Sequence, residues 1–330
     1  MTLTMNRLAV SLQNHGEPML ILTRAEIEKL LDPHELLAAL EEGFKALSAG
    51  QLNVPPRNQV IAPKGLLVGM PAYMPNKLMS VKLVSVFHEN HKQNIPDHQA
   101  TITLFDSETG TPIAFMDGEY ITAMRTAAGA ILSIKTLARK NIRTIAIIGA
   151  GVLGEAHLKM IGTLSGIEMV WIASRDISKA KALSARASNA GTADSVQQAV
   201  SNADVVCLCT SSLEPVIKTE WLKEGVHISS VGYRPPGGEL PRDVVKDSHV
   251  FVESKVAFSP PPVGSAELQG LDVEFGTELG EVLWKLKPGR RNEQETTIYK
   301  SMGHAMEDLV AANLVYEKAI SQGIGKRVEL

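Results

Sequence analysis

Three glycines near the middle of the chain have the spacing of a phosphate-binding turn. Gly149, Gly151 and Gly154 form G-x-G-x-x-G directly after the apolar run 145–148, and a helical pattern follows them. In such a unit the first glycine permits a tight turn, the second lets a pyrophosphate approach the backbone, and the third allows close packing of helix on strand. A second strand, Met169 to Ala173, follows at the expected distance. The motif predicts a dinucleotide-binding site rather than a structural turn.

The residues around this turn predict how a dinucleotide is bound. The pyrophosphate is expected on the free N–H groups at the start of the helix, at Val152 and Leu153. NAD sites usually have an acidic residue at the end of the second strand, whereas NADP sites offer cationic and hydroxyl groups to a 2′-phosphate. Here that position has Ser174 and Arg175, with Asp176 one residue too late. Because a guanidinium matches a phosphate well, NADP(H) is favoured over NAD(H). The alternative is that Arg175 is a solvated loop residue and Asp176 caps the next helix.

Three basic residues in the N-terminal part lie in apolar or rigid surroundings. Arg57 follows a proline pair, Lys82 lies inside the apolar strand 80–85, and Arg125 is the one charged residue of 121–128. An unpaired buried charge is costly, so each cation reaches solvent, pairs with a carboxylate, or joins the others in a pocket for an anionic substrate. Two guanidinium groups and one ammonium suit a carboxylate plus a group that needs a proton. Lys82 is the acid–base candidate, because burial readily lowers the pKa of lysine while arginine stays charged.

A cluster of histidines and acids gives a weaker signal. His88, His91 and His98, with Glu89 and Asp97, fall in a polar stretch. No helical or hairpin register brings them together as metal ligands. We therefore predict no metal site.

Length and composition limit the class of protein. The chain has 330 residues, enough for about two domains, and a net charge of −3, which gives no reason to expect nucleic acid or an anionic membrane as a partner. No apolar run reaches 18 residues, and the first seventeen residues do not have the pattern of a secretion signal. Cys207 and Cys209 fall in an apolar strand and are interpreted as reduced core thiols, which favours a cytoplasmic location.

The N-terminal part is predicted to begin with helices and continue with strands. Thr23 and Glu26 form a capping-box pattern, and a second capping pattern precedes a helix over 33–49. From 53 to 115, short apolar runs broken by Pro, Gly and Asn predict strands. Residues 106–110 are expected to form a hairpin loop between two of these strands.

The rest of the chain alternates between helices and strands. An Ala-rich helix over about 121–138 leads into the glycine turn, and a long helix is predicted over 301–320. Such alternation predicts a parallel sheet with right-handed crossovers. Glu307 and Asp308, near the start of the last helix, are interpreted as a solvated face rather than a catalytic pair. Between these helices we predict further elements: helices 177–187 and 194–201, and strands 204–209, 226–231 and 248–252.

The ordered motifs resemble the ornithine cyclodeaminase and mu-crystallin family over nearly the whole chain. The matching stretches are Pro56-Arg57, Met70-Pro71-Ala72-Tyr73, the Lys82 strand, His98-Gln99-Ala100-Thr101, Met116-Asp117-Gly118, Arg125-Thr126-Ala127-Ala128, Ile148-Gly149-Ala150-Gly151, the stretch from Gly225 to Gly232, Glu278-Leu279-Gly280-Glu281, Lys300-Ser301-Met302-Gly303 and Glu307-Asp308.

The resemblance implies an α/β fold with a Rossmann-type doubly wound parallel sheet and an α+β domain for substrate binding and dimerisation. We place the substrate domain at 1–124 with 304–330 and the nucleotide domain at 125–303, and expect a homodimer. The resemblance further implies that Arg57, Lys82 and Arg125 hold the carboxylate and reacting centre of an amino or imino acid, with Met70 at the same pocket. The residues assigned to the cofactor beyond those of the turn and of the second strand are Thr210, Val231, Gly232 and Ser301.

One departure from the family distinguishes among its activities. Cyclodeaminases have an aspartate after the fifth strand of the nucleotide domain, where this chain has Tyr233 or Arg234, and Glu239 is too far along to replace it. We therefore predict NAD(P)H-dependent reduction of a small α-imino acid, cyclic or formed from a 2-oxo acid and an amine, to an α-amino acid. The alternatives are an ornithine or lysine cyclodeaminase that recycles bound NAD, and a crystallin-like protein that binds NADP.

Overall fold

The computed structural model describes residues 18–329. The first seventeen residues, for which the sequence predicts no secretion signal, lie outside the described residues. The described chain is built around two β-sheets, one from its N-terminal part and one from the part after the glycine turn.

The first sheet is mainly antiparallel and comes from the N-terminal third of the chain. Alternation of side chains along its strands directs even-numbered residues of the third and fourth strands inward and odd-numbered residues outward. Met70 and Lys82 are therefore cross-strand partners on the inward face. Its first six strands are β1 (Met19–Leu22), β2 (Asn58–Ala62), β3 (Gly65–Tyr73), β4 (Met79–Val86), β5 (His98–Phe105) and β6 (Pro112–Asp117).

The second sheet is parallel throughout. Its eight strands are β7 (Thr144–Ile148), β8 (Met169–Ala173), β9 (Ala190–Thr192), β10 (Val205–Leu208), β11 (His227–Ser230), β12 (His249–Val252), β13 (Gly276–Glu278) and β14 (Thr297–Lys300). They lie in the order β13-β12-β14-β11-β10-β7-β8-β9. The chain runs outward in both directions from β7, so a switch point lies between β7 and β10, where open parallel sheets bind ligands.

Helices cover both faces of the parallel sheet and the inward face of the first sheet. They are α1 (Arg24–Leu30), α2 (Pro33–Ser48), α3 (Glu119–Leu137), α4 (Val152–Ile161), α5 (Ile177–Ser184), α6 (Val196–Val200), α7 (Arg242–Lys246), α8 (Leu279–Leu283) and α9 (Ala305–Gln322). A last strand, β15 (Lys326–Val328), pairs with β1 and completes the first sheet in the order β15-β1-β6-β5-β4-β3-β2.

The apolar residues of β7 and β10 show that both faces of the parallel sheet are buried. Ile145 and Ile147 belong to the cluster that contains α3 and α4, whereas Ala146 and Ile148 belong to a second cluster on the opposite face. Continuous apolar strands of this kind are typical of doubly wound sheets. The prediction of an α/β fold with a doubly wound parallel sheet beside a second, α+β unit is confirmed.

The last helix begins later than the sequence predicts. It starts at Ala305 instead of 301, because Gly303 has a φ of +76° and His304 is the N-cap. The capping box at Thr23 and the Asp32 cap with proline at the first position of α2 are present as predicted. Within residues 18–329, no helix combines the length and apolar character needed to cross a bilayer.

Candidate active site

The glycine turn has the backbone geometry of a pyrophosphate cradle. Gly149 has a φ of +111°, and a Cβ there would lie 2.6 Å from the carbonyl oxygen of Cys209. A Cβ on Gly154 would overlap the Gly149 carbonyl, so the helix packs closely on the turn. At Gly151, by contrast, a Cβ would meet nothing within 4 Å. Because Gly151 is also the N-cap of α4, whose first N–H groups at Val152 and Leu153 are free for a ligand, the turn fits an anionic group.

The end of β8 offers a cation and a hydroxyl, and the acid that follows them caps the next helix. Arg175 is exposed and Ser174 half-buried. The Asp176 carboxylate accepts hydrogen bonds from the backbone N–H groups of Ser178 and Lys179, at 3.0 and 3.3 Å. The alternative interpretation of Asp176 as a helix cap is therefore confirmed, and its position at the cap leaves Arg175 beside the edge of the sheet.

The other predicted cofactor residues follow the ends of parallel strands and so line the same edge of the sheet. Thr210 follows β10, Val231 and Gly232 follow β11, and Ser301 follows β14. Glu239, fully buried, accepts hydrogen bonds from Thr210 Oγ1 and N (2.7 and 2.8 Å) and from Gly232 N (2.6 Å). Glu239 therefore positions two of these loops and is not available to a substrate.

A short extended segment, 301–303, joins this edge to the inward face of the first sheet. The Glu253 carboxylate, buried after β12, accepts hydrogen bonds from Ser301 Oγ (2.5 Å) and Gly303 N (3.0 Å). On the other side, Arg57 Nη2 donates to the Gly303 carbonyl at 2.7 Å. A Cβ on Gly303 would lie 2.6 Å from the Arg125 guanidinium nitrogens, so only glycine fits between these two arginines.

Lys82 and Arg125 meet at two buried acids of α9. Lys82 Nζ lies 2.6 Å from Asp308 Oδ2, and Arg125 Nε donates to Asp308 Oδ1 at 2.9 Å. Arg125 Nη1 donates to Glu307 Oε2 at 2.7 Å. All four side chains are at most 3% exposed. The three cations singled out in the sequence are thus brought together, with Arg57 linked to the others through Gly303.

Burial and neighbouring charges alter the pKa values of this cluster. Burial, opposed by Asp308, lowers the pKa of Lys82 to about 8. Burial is also the largest effect on Glu307, whose pKa it raises. The two cations on either side of Asp308 outweigh its burial and lower the pKa of that carboxyl group. Lys82 and Glu307, whose pKa burial raises to about 8, are therefore the two groups of this cluster that can exchange a proton near neutral pH.

The interpretation of Glu307 and Asp308 as a solvated face is wrong. Both are buried, because the first turn of α9 packs against the inward face of β3 and β4, where Leu309 joins a cluster with Met70. Buried cations require counter-charges, so the apolar surroundings of Lys82 and Arg125 were the signal that pointed to nearby acids. Sequence spacing did not indicate which acids these were.

The loop after β11 lies against Arg57. The Arg57 guanidinium carbon is 5.5 Å from the centre of the Tyr233 ring. Tyr233 Oη donates to the Pro262 carbonyl at 2.6 Å, and Arg234 Nη1 donates to the Ser211 carbonyl at 2.9 Å. The 258–266 loop is thereby attached to the site. An aromatic ring occupies the position at which the family resemblance would place the aspartate of a cyclodeaminase.

The remaining predictions concern metal ions and thiols. Among the described side chains, no three His, Cys, Asp or Glu residues converge as metal ligands. Cys207 and Cys209 are buried free thiols. Burial raises the pKa of Cys207 to about 12, which makes it unreactive as a nucleophile.

The fold and the site define a Rossmann-type α/β protein with a cluster of cations next to the carboxyl edge of its parallel sheet. The model of the ornithine cyclodeaminase/mu-crystallin family matches residues 17–323. The chain belongs to that family.

Two curated relatives match most of the chain. Alanine dehydrogenase of Archaeoglobus fulgidus is 32% identical over 323 residues, which cover 94% of this chain and 98% of the relative. Ketimine reductase mu-crystallin of Rattus norvegicus is 38% identical over 259 residues, which cover 77% of this chain and 80% of the relative.

Two solved structures also match most of the chain. Thermococcus litoralis Δ1-pyrroline-2-carboxylate reductase, in complex with NADH and L-proline, has a TM-score of 0.89 at 34% identity and covers 94% of this chain and all of its own. An archaeal alanine dehydrogenase dimer with bound NAD has a TM-score of 0.84 at 32% identity and covers 94% of this chain and 99% of its own.

Proposed function

We propose that this protein is an NAD(P)H-dependent oxidoreductase that reduces an α-imino acid to an α-amino acid. The observation that carries the proposal is the cluster of Arg57 with the buried Lys82 and Arg125, which the 301–303 segment joins to the strand ends proposed to bind the cofactor. The relatives named for ketimine reduction, pyrroline-2-carboxylate reduction and alanine dehydrogenation support the same chemistry, because each acts on a carbon that carries nitrogen and a carboxylate.

The substrate carboxylate binds to the two arginines. Within residues 18–329, Arg125 Nη2 has no hydrogen-bond partner, although Nε and Nη1 are held by acids. Arg57 is half-buried and its guanidinium is held in place by the Gly303 carbonyl. Both guanidinium groups are thus fixed in position with donors to spare, an arrangement suited to a carboxylate. Met70, next to Lys82 across the strand pair, supplies an apolar wall for the substrate carbon chain.

Lys82 supplies the proton. A bound nicotinamide cofactor provides the hydride that reduces the imine carbon. The imine nitrogen then needs one proton, which the Lys82 ammonium holds at a site shielded from water. A lysine whose pKa is about 8 is well matched to this role, since it is mostly protonated at neutral pH and readily gives the proton up.

The arrangement does not favour cyclodeamination of ornithine or lysine. That reaction needs a group for the second amino group of the substrate, and Glu239 is fully engaged by the loops around it. Tyr233 packs on Arg57 and presents no carboxylate. A substrate without a distal amine therefore fits the site better.

The direct test is a panel of substrates followed through cofactor oxidation at 340 nm. Pyrroline-2-carboxylate, piperideine-2-carboxylate, and pyruvate or glyoxylate with ammonia or methylamine are each offered with NADPH and with NADH. We expect oxidation with at least one imine, and no ammonia release from ornithine or lysine. Ammonia release without net oxidation of the cofactor would replace the proposal by cyclodeamination.

For the cofactor we propose NADP(H) in preference to NAD(H), on the basis of Arg175 at the end of β8. Arg175→Ala should weaken NADPH binding by about 10-fold and leave NADH binding within about 2-fold, because only the 2′-phosphate gives the guanidinium a charged partner. Fluorescence titration of both cofactors measures the effect. Arg143→Ala, a similarly exposed arginine paired with Glu168, is the matched control. Equal losses for the two cofactors would contradict the 2′-phosphate role.

We also propose a homodimer, formed through the outward face of the first sheet. Leu67, Leu83 and Phe115 are each about two-fifths exposed on this face, and the aromatic ring of Phe105 and the side chain of Val81 lie among them on the same side. An apolar sheet face of this extent is typical of a surface covered by another protein subunit. The archaeal alanine dehydrogenase of similar fold is a dimer.

Charge placed on this face should separate the dimer. Leu83→Glu should shift the molecular mass in light scattering from that of two chains to that of one at micromolar concentration, because a carboxylate cannot be buried unpaired between two sheets. Leu286→Glu, at an exposed leucine remote from the sheet, is the control and should leave the mass unchanged. A wild-type protein that sedimented as a monomer would contradict the proposal outright.

We also propose the bounds of the two domains and the cellular compartment of the protein. The substrate domain comprises 1–124 and 304–330 and the nucleotide domain 125–303, since Gly303 separates β14 of one sheet from the helix that packs on the other. The two buried free thiols are consistent with a reducing, cytoplasmic compartment.

A further inference from the structure

We propose that Asp308 is a positioning residue for Lys82: one carboxylate oxygen holds the ammonium and the other holds Arg125, so that the proton donor and the substrate's carboxylate binder form one rigid unit. The inference rests on the proposed imine reduction and assigns to that reaction a residue that touches neither the cofactor nor the substrate.

The geometry of Asp308 is that of a bridge between two elements. Lys82 extends from the inward face of β4 and Arg125 from α3, while Asp308 lies in the first turn of α9. Its Oδ2 is 2.6 Å from Lys82 Nζ and its Oδ1 is 2.9 Å from Arg125 Nε. With exposures of 1 to 3%, the three side chains have little room for another arrangement. The start of an 18-residue helix further favours a negative charge at this position.

Lys82 has no other adjacent carboxylate in the described chain. Arg125 from α3 and Arg57 from the segment before β2 face it and disfavour its charged form. Glu307, on α9, hydrogen-bonds to Arg125, and Glu253, after β12, holds the 301–303 segment. Lys82 thus depends on Asp308 to offset burial and two like charges.

By holding the Lys82 ammonium in position, Asp308 keeps a proton available to the imine nitrogen. When the imine is reduced, its carbon receives a hydride and its nitrogen one proton, and Lys82 Nζ ends as a neutral amine that solvent protonates again. Without the Asp308 carboxylate, a smaller fraction of Lys82 is protonated at pH 7, and the ammonium loses the oxygen that fixes its position. The reaction then has less of the proton donor, and that donor is less well aligned.

The pKa of Lys82 measured by NMR tests the inference without any substrate. In protein labelled with [13Cε]lysine, the Lys82 resonance is identified by its loss in Lys82→Met and titrated between pH 6 and 11. We expect Asp308→Asn to lower the Lys82 pKa by at least about one unit, roughly a tenfold change in the protonation equilibrium. Glu307→Gln is the matched control, because this equally buried carboxylate accepts hydrogen bonds from Arg125 and from the His304 backbone N–H and forms no ion pair with Lys82 in the described chain. It should leave the Lys82 pKa nearly unchanged. An unchanged pKa in Asp308→Asn overturns the inference.

A second variant separates position from charge and serves if Asp308→Asn does not fold. Asp308→Glu keeps the carboxylate but moves it by one methylene, so the Lys82 pKa should stay near that of the wild type while kcat for imine reduction falls about 10-fold or more. The alkaline limb of the pH profile should stay in place in this variant and move to lower pH in Asp308→Asn. Full kcat in Asp308→Glu would contradict a positioning role. A wild-type protein that reduces no imine would refute the proposed function, whereas the NMR titration would still report on Asp308.

Discussion

Replacing Lys82 with methionine should lower kcat for imine reduction at least about 100-fold, within the usual range for removal of a general acid. Methionine nearly matches the length of the lysine stem, so the inward face of β4 stays filled, and Asp308 keeps Arg125 as a partner. The cofactor edge is built from other residues, so the dissociation constant for NADPH should change less than about 2-fold. Steady-state kinetics and fluorescence titration of the cofactor measure the two quantities.

The control for this variant is a lysine bonded to the same helix but away from the site. Lys77, in the turn between β3 and β4, pairs with Glu317 of α9 at 3.2 Å and is partly exposed. Lys77→Met should leave kcat within about 2-fold of the wild-type value, because exposed ion pairs contribute little. If Lys82→Met retained normal kcat, Lys82 would not be the proton donor, and the imine nitrogen would have to receive its proton from another group.

Arg125→Met should destabilise the folded protein by about 3–5 kcal/mol, the effect typical of removing one partner from a buried ion pair. The loss leaves Glu307 without its ion-pair partner and Asp308 with Lys82 alone, both in a region closed to water. The free energy of unfolding, measured by urea denaturation at a fixed protein concentration, reports the change. Activity should fall as well, because the substrate carboxylate loses one of its two guanidinium groups.

Arg143→Met tests whether burial of the ion pair is the reason for the large loss of stability expected for Arg125→Met. Arg143 forms an ion pair with Glu168 at 2.6 Å, as short as those of Arg125, but both side chains are about two-thirds exposed. Its removal should cost less than about 1 kcal/mol. Equal losses in the two variants would show that the Arg125 cluster stabilises the fold no more than a surface pair does.

Local chemistry explains how much of the fold and the site was predictable from the sequence. The glycine turn is specified by residues within six positions of one another, and its backbone has the expected form at Gly149 and Gly154. The apolar surroundings of Lys82 and Arg125 indicated burial, which the structure bears out. The parallel sheet followed from the alternation of apolar runs and helical patterns.

The acids of the site could not be predicted in the same way. Whether Asp308 is buried depends on how α9 packs against β3 and β4, more than 200 residues earlier in the chain. The late start of α9, set by the positive φ of Gly303, also changes which residues form its first turn. The edge strands β2 and β15 are short and mostly exposed, so no alternation of buried and exposed residues marks them in the sequence.

The most direct test of the account is the fate of the hydride. The imine that gives the fastest cofactor oxidation is reduced with NADPH carrying deuterium at both positions of C4, and the amino acid product is analysed by mass spectrometry. The account predicts one deuterium in the product, on the α-carbon, with one molecule of NADP⁺ formed for each molecule of amino acid. An amino acid without deuterium, or ammonia released from ornithine while the cofactor is returned unchanged, would contradict it.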